Sequence, residues 1–354
     1  MLENIKGDLR MRSYINKLFG VSVIFVALML AACGSDESAT DGEGGDSGDG
    51  EVYTIDYSYV SNEESPQHYG QEKFKELVEE KSNGQIEVEL YPNGQLYSSE
   101  AEAYEAVQTG NVEMTMGGTA AMSGIDNRFS VLELPYLFPD VETAHEALDG
   151  ELGEKLFEGL LEHGLRGLAY GEAGMRQITN NQRSLESLED FKGLVIRTQE
   201  NPIHIDIFEQ LEANPSPYAY GEVYSALQQN VFDAQDNPVI NITDMKFYEV
   251  QEYLTISDHM YTGLTVVIND DFYSSLPEDL QEVLLEAADE AYDYQREIAN
   301  EQNEEGISLM EEHLEVNVLS DEVREQFIEE MQPVYDAYED EVGEKLMDLA
   351  RSYQ

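Results

Sequence analysis

Two arginines close short apolar runs, a setting in which a fixed positive charge can bind an anion. Arg197 ends the apolar run 194–196, and Arg176 ends an earlier run that starts at residue 167. Basic residues are scarce, since the chain carries 74 Asp plus Glu against 19 Lys plus Arg. A guanidinium group can hold a carboxylate through two parallel hydrogen bonds. Arg197 is therefore a candidate carboxylate clamp, and the alternative is a buried arginine paired with one of the many acids.

Three apolar runs must position these side chains. They cover residues 167–176, 193–202 and 231–238, and the last two end in Gln-acid-Asn-Pro. Asn followed by Pro marks a helix start, because Asn caps free amides and Pro has no N–H to lose. Each run is predicted to be a strand that feeds a turn and then a helix. The carboxyl ends of such strands are where open α/β sheets bind ligands.

The charge balance excludes some classes of partner. A formal net charge of -55 argues against nucleic-acid binding and against docking on anionic lipid headgroups, since both require basic patches. The acidity fits an exported protein that lives in high salt or at high pH. A hydrophobic content of 41% still supports real cores, and the length after the leader suits two domains.

The N-terminal residues are predicted to be a lipoprotein signal peptide, 1–32. Basic residues precede an apolar run from 18 to 32 that is too short for a comfortable membrane span. Cys33 is the only cysteine, which excludes an intrachain disulfide, and its Leu30-Ala31-Ala32-Cys33 setting resembles a bacterial lipobox. Lipidated Cys33 would anchor the protein outside the cytoplasm on the cell membrane; a cleaved signal with an incidental cysteine is the alternative. Residues 33–51 are predicted to form an acidic Gly/Ser linker, because such a composition cannot bury enough surface to fold.

The body is predicted to be α/β with two lobes. Strand and helix patterns alternate through residues 52–116, which indicates a largely parallel sheet. Lobe I is predicted to comprise 52–170 plus about 262–276, and lobe II 171–261, because the apolar strand 265–269 returns to the first lobe. The two crossings would form a hinge near 170–171 and 261–263.

The C-terminal region 277–354 is predicted to hold one long helix, followed by helices that contact both lobes. The helical pattern from Pro277 to about Leu314 would span on the order of 50 Å, longer than one small domain is wide. Such a helix could brace both lobes. A coiled coil is the alternative, although the apolar positions keep no clean heptad. Residues 141–163 are also predicted to be helical.

Six short segments occur in a fixed order and are more specific together than singly. They are Tyr91-Pro92-Asn93-Gly94-Gln95-Leu96, Leu134-Pro135-Tyr136-Leu137-Phe138, Met175-Arg176-Gln177-Ile178-Thr179-Asn180, Gly193-Leu194-Val195-Ile196-Arg197, Tyr224-Ser225-Ala226-Leu227-Gln228-Gln229 and Gln235-Asp236-Asn237-Pro238. On these segments, the chain from Val52 to about Val342 resembles the solute-binding subunit of a tripartite ATP-independent periplasmic (TRAP) transporter, in its dicarboxylate-binding family.

The resemblance implies a two-lobed, periplasmic-binding-protein-like fold with a hinge and a long helix that spans both lobes. It implies that Arg197 pairs with a ligand carboxylate, that Arg176 and Asn237 are further polar contacts, and that Tyr220 lines the site. It also implies a small organic acid as ligand and membrane permease subunits as partners. The family tends to have Gly and Glu where this chain has Ala234 and Asp236, and Ala234 bears on which ligand fits.

Three candidate positions for the ligand site have structural alternatives. Thr119, after Gly117-Gly118 at a predicted strand end, would let a ligand approach the backbone, or the glycines simply make a turn. His68 follows the Ser65-Pro66 cap and would face the cleft, or is a polar residue on the first helical turn. Tyr220 would line the site or fill the edge of the core.

Other functions are weighed against solute binding. An ATP-driven importer's binding subunit would share the lobes, and an exported hydrolase would use a carboxylate pair, but acids are too abundant here for their spacing to be informative. No Gly-x-Ser-x-Gly or His-Glu-x-x-His motif occurs, so no enzyme activity is expected. No cofactor is expected and no metal-ligand spacing stands out. C4-dicarboxylates, sugar acids and zwitterionic solutes all remain open as ligands.

Overall fold

A computed structural model describes residues 52–354, and the predicted signal peptide, Cys33 and most of the linker lie outside these residues. The strands are Tyr53–Ser58 (β1), Ile86–Tyr91 (β2), Met114–Gly118 (β3), Leu165–Asn180 (β4), Val195–Thr198 (β5), Asn214–Pro217 (β6), Ala234–Pro238 (β7), Tyr253–Ile256 (β8), Tyr261–Asn269 (β9) and Glu315–Val318 (β10). The α-helices are Pro66–Lys81 (α1), Glu100–Gln108 (α2), Thr119–Met122 (α3), Val141–Leu148 (α4), Glu151–Leu160 (α5), Pro202–Gln210 (α6), Val223–Gln228 (α7), Val239–Asp244 (α8), Asp270–Ser275 (α9), Glu278–His313 (α10), Asp321–Glu330 (α11), Gln332–Val342 (α12) and Glu344–Arg351 (α13).

Strand β4 joins the two halves of the sheet, whose order is β2-β1-β3-β9-β4-β7-β5-β6. Its first part, from Leu165 to Met175, pairs with β9, and its last part, from Arg176 to Asn180, pairs with β7. Strands β1, β2 and β3 run parallel to one another, whereas β9 runs antiparallel to both β3 and β4. The prediction of an α/β fold with a largely parallel first sheet is confirmed.

Local sequence signals set the ends of the first helix. Ser65 caps α1, because its hydroxyl accepts a hydrogen bond from the His68 amide at 3.2 Å. Beyond the helix, Asn83 and Gly84 adopt positive φ angles of 52° and 75°, which turn the chain toward β2. The predicted helix start and stop are both observed.

Three local predictions are wrong. Strand β4 continues through Arg176 to Asn180 instead of turning into a helix, because β7 and β8 extend the sheet beside it. The helix predicted for 141–163 is broken into α4, α5 and a short 3-10 turn, and Gly150 caps the second piece. Asn237 lies within β7 and Pro238 stands at the helix cap, so Asn237 is not the capping residue.

The long helix α10 runs for 36 residues, about 54 Å, and confirms the predicted spanning element. It packs along α1, along β4 and against α8. The region after it also contains a strand, β10, which was not predicted and pairs with β8. Within residues 52–354, none of the helices combines the length and apolarity of a membrane span.

The C-terminal helices contact segments that belong to both predicted lobes. On α12, the Tyr335 hydroxyl donates to the Pro135 carbonyl at 2.9 Å, and the Tyr338 hydroxyl donates to Asp206 Oδ2 at 2.7 Å. Phe327 of α11 is fully buried in the hydrophobic cluster that also contains Tyr335 and Tyr338. These contacts hold the C-terminal helices against segments that come from both predicted lobes.

Candidate functional site

Arg197 lies in β5 with its guanidinium buried and without an acidic partner among residues 52–354. The side chain is 2% exposed, and its Nε and Nη2 both donate to the Tyr218 carbonyl, at 2.8 and 2.6 Å. Its Nη1 is buried with no hydrogen-bond partner in the described structure. Burial lowers the pKa of Arg197 to about 10, opposed by Asp236 and reinforced by Arg176. The group therefore stays charged at neutral pH and retains an unused donor.

Arg176, by contrast, is fully neutralised inside the protein. It lies at the point where β4 passes from β9 to β7, and its side chain is 0% exposed. Its Nε donates to Asp236 Oδ2 at 2.6 Å, its Nη2 donates to the Asp236 carbonyl, and its Nη1 donates to Thr262 Oγ1 at 3.2 Å. The structure thus separates two arginines that look equivalent in the sequence.

Asp236 also contacts a buried histidine. His259 Nε2 lies 3.3 Å from Asp236 Oδ2, and His259 Nδ1 lies 2.8 Å from Ser257 Oγ. Burial opposes ionisation of Asp236, but Arg176 and His259 outweigh it and lower the pKa of Asp236 well below its usual range. Burial lowers the pKa of His259 despite the neighbouring acid. At neutral pH the cluster is an Arg–Asp ion pair beside a neutral histidine.

The structure places Asn237 and Tyr220 in the same half of the molecule as Arg197. Asn237 is 1% exposed, and its Nδ2 donates to Gln235 Oε1 on β7. The Tyr220 hydroxyl donates to the Asn241 carbonyl at 3.4 Å, and its ring packs edge-on against Phe247. Burial raises the pKa of Tyr220, and the charge of Arg197 acts against that rise, so the two side chains lie within electrostatic range.

Thr119 faces this region from the other half of the sheet. It starts α3 directly after β3, is buried, and donates from Oγ1 to the Gly263 carbonyl at 3.3 Å. Asn201, the cap of α6 after β5, reaches across: its Nδ2 donates to the Ala120 carbonyl at 3.2 Å and to Ser123 Oγ at 3.0 Å. The carboxyl ends of β3 and β5 therefore face each other, as expected for a ligand site between two lobes.

His68 has a local role in the described structure. Its Nδ1 lies 2.7 Å from the Tyr59 hydroxyl, and its Nε2 lies 3.5 Å from Glu72 on the next turn of α1. Neither partner is one of the other candidate site residues. Nothing in these contacts joins His68 to the arginines.

Sequence reasoning missed four polar residues around this region. Asp236 lies within one of the six segments but received no role from the sequence, whereas it is the partner of Arg176. His204 and Glu133, 2.8 Å apart and both buried, form a second contact between segments from the two halves. Glu100, at the start of α2, lies against Gly118. No local signal distinguishes the three acids, Asp236, Glu133 and Glu100, from the many others in the chain.

Metal-ligating groups and surface cavities of residues 52–354 also bear on where a ligand could bind. No group of three or more His, Cys, Asp or Glu side chains is arranged to hold a metal ion in the described part of the chain. Two surface cavities of about 720 and 390 Å³ lie elsewhere, one beside Lys155 and the other beside Asp293. Neither is lined by any of the six candidate residues.

Comparison with known proteins gives a consistent result for most of the chain. The family model described as bacterial extracellular solute-binding protein, family 7, matches residues 57–341. The C4-dicarboxylate-binding protein DctB of Bacillus subtilis is 34% identical over 293 residues, covering 82% of this chain and 83% of that protein.

Solved structures agree with the fold. The sugar acid binding protein DctPAm from Advenella mimigardefordensis, in complex with galactonate, matches with a TM-score of 0.81 and 31% identity, covering 86% of this chain and 100% of that chain. A TRAP periplasmic solute binding protein from Shewanella oneidensis with bound succinate matches with a TM-score of 0.81 and 32% identity, covering 85% of this chain and 99% of that chain.

Proposed function

The chain belongs to the DctP family of bacterial extracellular solute-binding proteins, family 7, and on that premise we propose that it captures a small organic carboxylate for delivery to a TRAP permease. The family confirms the resemblance found in the sequence and the two-lobed fold that it implied. Relatives with bound succinate and bound galactonate make C4-dicarboxylates and sugar acids the ligand classes to consider.

One observation carries the proposal: Arg197 is buried, charged and unpaired by any acid among residues 52–354. An uncompensated buried charge is costly, so a protein retains one where an outside partner supplies the opposite charge. A ligand carboxylate between β3 and β5 would bond the free Nη1. Closure of the lobes would then exclude water and strengthen that ion pair.

The other candidates take supporting roles in this proposal. Arg176 is already paired with Asp236, so it would contribute a polar contact to the ligand and not a full ion pair. Asn237, Tyr220 and Thr119 would contact the polar remainder of the ligand. His68 would stabilise the first turn of α1 unless an opening of the lobes brings it to the cleft.

The lobes and their attachment follow the same proposal. Lobe I would comprise 52–170 and about 262–276, lobe II 171–261, with the hinge where β4 and β9 cross between them. Cys33, in its lipobox-like setting, would carry the lipid that keeps the protein at the membrane surface near its permease. Relatives in this family are solute-binding proteins, and the absence of enzyme activity remains a prediction.

The test is thermal melting of the purified protein with succinate, galactonate and glucuronate, followed by titration calorimetry of whatever stabilises it. We expect at least one acid to raise the melting temperature; a ligand at 100 times its Kd stabilises by about 2.7 kcal/mol. Arg197→Ala should abolish the shift, since truncating one partner of a desolvated ion pair costs about 2–5 kcal/mol. Arg197→Lys keeps the charge but loses the fork, so it should bind weakly.

Arg183→Ala is the matched control, because Arg183 is exposed and follows β4 in the same half of the molecule. It should bind like the wild type. Unchanged affinity in Arg197→Ala would contradict the clamp assignment, and failure of every organic acid to bind the wild type would contradict the proposed function. NMR of the bound acid after incubation should show no chemical change; turnover would instead favour the hydrolase alternative.

A further inference from the structure

Glu100 places a carboxylate where no side chain neutralises it. It is the first residue of α2, whose cap is Ser99, and its side chain is partly buried. No ion pair or side-chain hydrogen bond to this carboxylate is found among residues 52–354. Glu100 Oε2 would lie 3.3 Å from a Cβ built on Gly118, so the carboxylate rests against the backbone at the end of β3. Gly118 leaves the room that this side chain occupies.

The end of β3 is also one wall of the proposed binding cleft. Gly118 is followed by Thr119 and then by Ala120, whose carbonyl accepts the hydrogen bond from Asn201 beyond β5. Burial raises the pKa of the Glu100 carboxyl, the Gly118 amide and the Arg197 charge lower it, and Glu133 raises it. Glu100 and Arg197 therefore lie within electrostatic range of each other, with Glu100 against the end of β3 and Arg197 in β5.

The buried arginines differ in whether an acidic side chain pairs with them. Among the described residues, the buried arginines are Arg176, Arg197 and Arg296, and only Arg197 lacks an acidic partner. A ligand monocarboxylate would neutralise Arg197. A second carboxylate on the same small ligand would meet the negative charge of Glu100, and like charges a few ångströms apart disfavour ionisation of both.

Resting on the proposed function, we propose that Glu100 determines specificity: its carboxylate accepts hydrogen bonds from ligand hydroxyl groups and disfavours a second ligand carboxylate. The preferred ligand class is then a hydroxylated monocarboxylate, such as a sugar acid, and not a C4-dicarboxylate. The neutral polar groups of Thr119, Asn237 and Tyr220 suit a hydroxylated chain. A ligand ammonium group is a poorer fit, since cation recognition favours aromatic faces, Trp above all, and the chain contains no Trp.

The experiment is titration calorimetry of the purified protein with galactonate, succinate and glutamate as probes. Wild type should bind galactonate at least about tenfold more tightly than succinate, which is a difference of about 1.4 kcal/mol. Glu100→Gln keeps the size of the side chain and removes its charge. It should weaken galactonate binding and strengthen succinate binding, so that the ratio of the two affinities shifts by about 100-fold.

Glu102→Gln is the control, because Glu102 lies in the same first turn of α2 but is exposed. It makes the same charge change near the helix N-terminus and should leave the affinity ratio unchanged. Equal melting temperatures of the two variants would show that both fold.

Two results would overturn the inference while leaving the proposed function intact. One is succinate binding as tightly as galactonate, with a ratio that Glu100→Gln does not move. The other is glutamate as the tightest ligand, lost in Glu100→Gln, which would assign the carboxylate to an ammonium group. Absence of binding by all three probes and by glucuronate would instead count against the proposed function.

Discussion

At the scale of single residues, the two buried arginines show how a site is kept distinct from a core. Arg176 donates to both the side chain and the backbone of Asp236, so its charge is balanced within the protein. Arg197 donates only to the Tyr218 carbonyl and keeps one buried donor free. Because a buried charge without a counterion destabilises the fold, Arg197 is a cost that ligand binding would offset.

Asp244 is a second residue whose surroundings oppose its charge. Burial and the nearby Glu64 raise the pKa of Asp244 from 3.8 to about 6. The folded protein therefore binds this proton more tightly than the unfolded chain, and its contribution to stability falls as the pH rises from 3.8 to about 6. We predict that Asp244→Asn increases the free energy of unfolding by about 1–3 kcal/mol at pH 8 and has little effect near pH 4.

Urea unfolding of both proteins at pH 4, 5, 6 and 8 measures this difference. Asp348→Asn, at an exposed position of α13, is the control for the loss of one negative charge and should change little at any pH. Equal stability of wild type and Asp244→Asn at pH 8 would contradict the assigned cause.

At the scale of elements, α10 holds β4 where its pairing with β9 is interrupted. The register shifts between Glu172 and Gly174, and there Gln295 accepts from the Glu172 amide at 2.8 Å and donates to the Glu172 carbonyl at 2.7 Å. About two turns further along α10, Asn303 donates to the Ala173 carbonyl at 3.2 Å. Gly174 has a φ of 107°, and a Cβ there would lie 2.6 Å from Asn303 Nδ2, so only glycine fits. The helix replaces strand pairing at the predicted crossing between lobes.

Gln295→Ala tests this clamp. The side chain is fully buried, and its loss would leave a backbone amide and a carbonyl unsatisfied. We predict a loss of about 2–5 kcal/mol in the free energy of unfolding, measured by urea denaturation. Gln302→Ala on the same helix is the matched control, since Gln302 is only half-buried and makes no side-chain hydrogen bond in the described structure. A loss as small as that of the control would contradict the clamp.

At the scale of the whole molecule, extreme acidity is combined with large hydrophobic clusters. With a net charge of -55, carboxylates that lie within the screening length of one another repel each other, and that length is about 10 Å at 0.1 M salt. The clusters, one of which unites residues such as Tyr104, Phe208 and Phe327 from distant parts of the chain, must outweigh that repulsion.

We therefore predict that the melting temperature rises with ionic strength. An increase of about 5 °C or more between 10 mM and 500 mM NaCl corresponds to about 3 kcal/mol for a protein of this size. Differential scanning calorimetry without ligand measures it, and KCl should act like NaCl if screening is the cause. Sucrose at equal osmolality separates screening from general exclusion effects. A melting temperature that does not change with salt would contradict the prediction that charge repulsion destabilises the folded protein.

Local patterns and ordered motifs were enough to predict the architecture and the family, and they singled out Arg197 as a candidate. The caps at Ser65 and Asn201, the α10 pattern and the six motifs each depend on residues close in the chain, so the elements and the family followed from them. Arg197 was singled out because an arginine ending an apolar run is unusual in so acidic a chain. Each of these signals depends on residues that are close together in the chain, so it can be recognised without knowledge of tertiary contacts.

Tertiary structure alone decided how the charges pair. Arg176 and Asp236 are 60 positions apart, and with 74 acids to choose from no spacing identifies the partner. The same holds for Glu100, which differs from other glutamates only because α2 and β3 bring it against Gly118. Whether β4 turns or continues likewise depended on β7 and β8 beside it. Ion pairing and strand pairing are set by distances in space, and the chain fixes those distances only once it has folded.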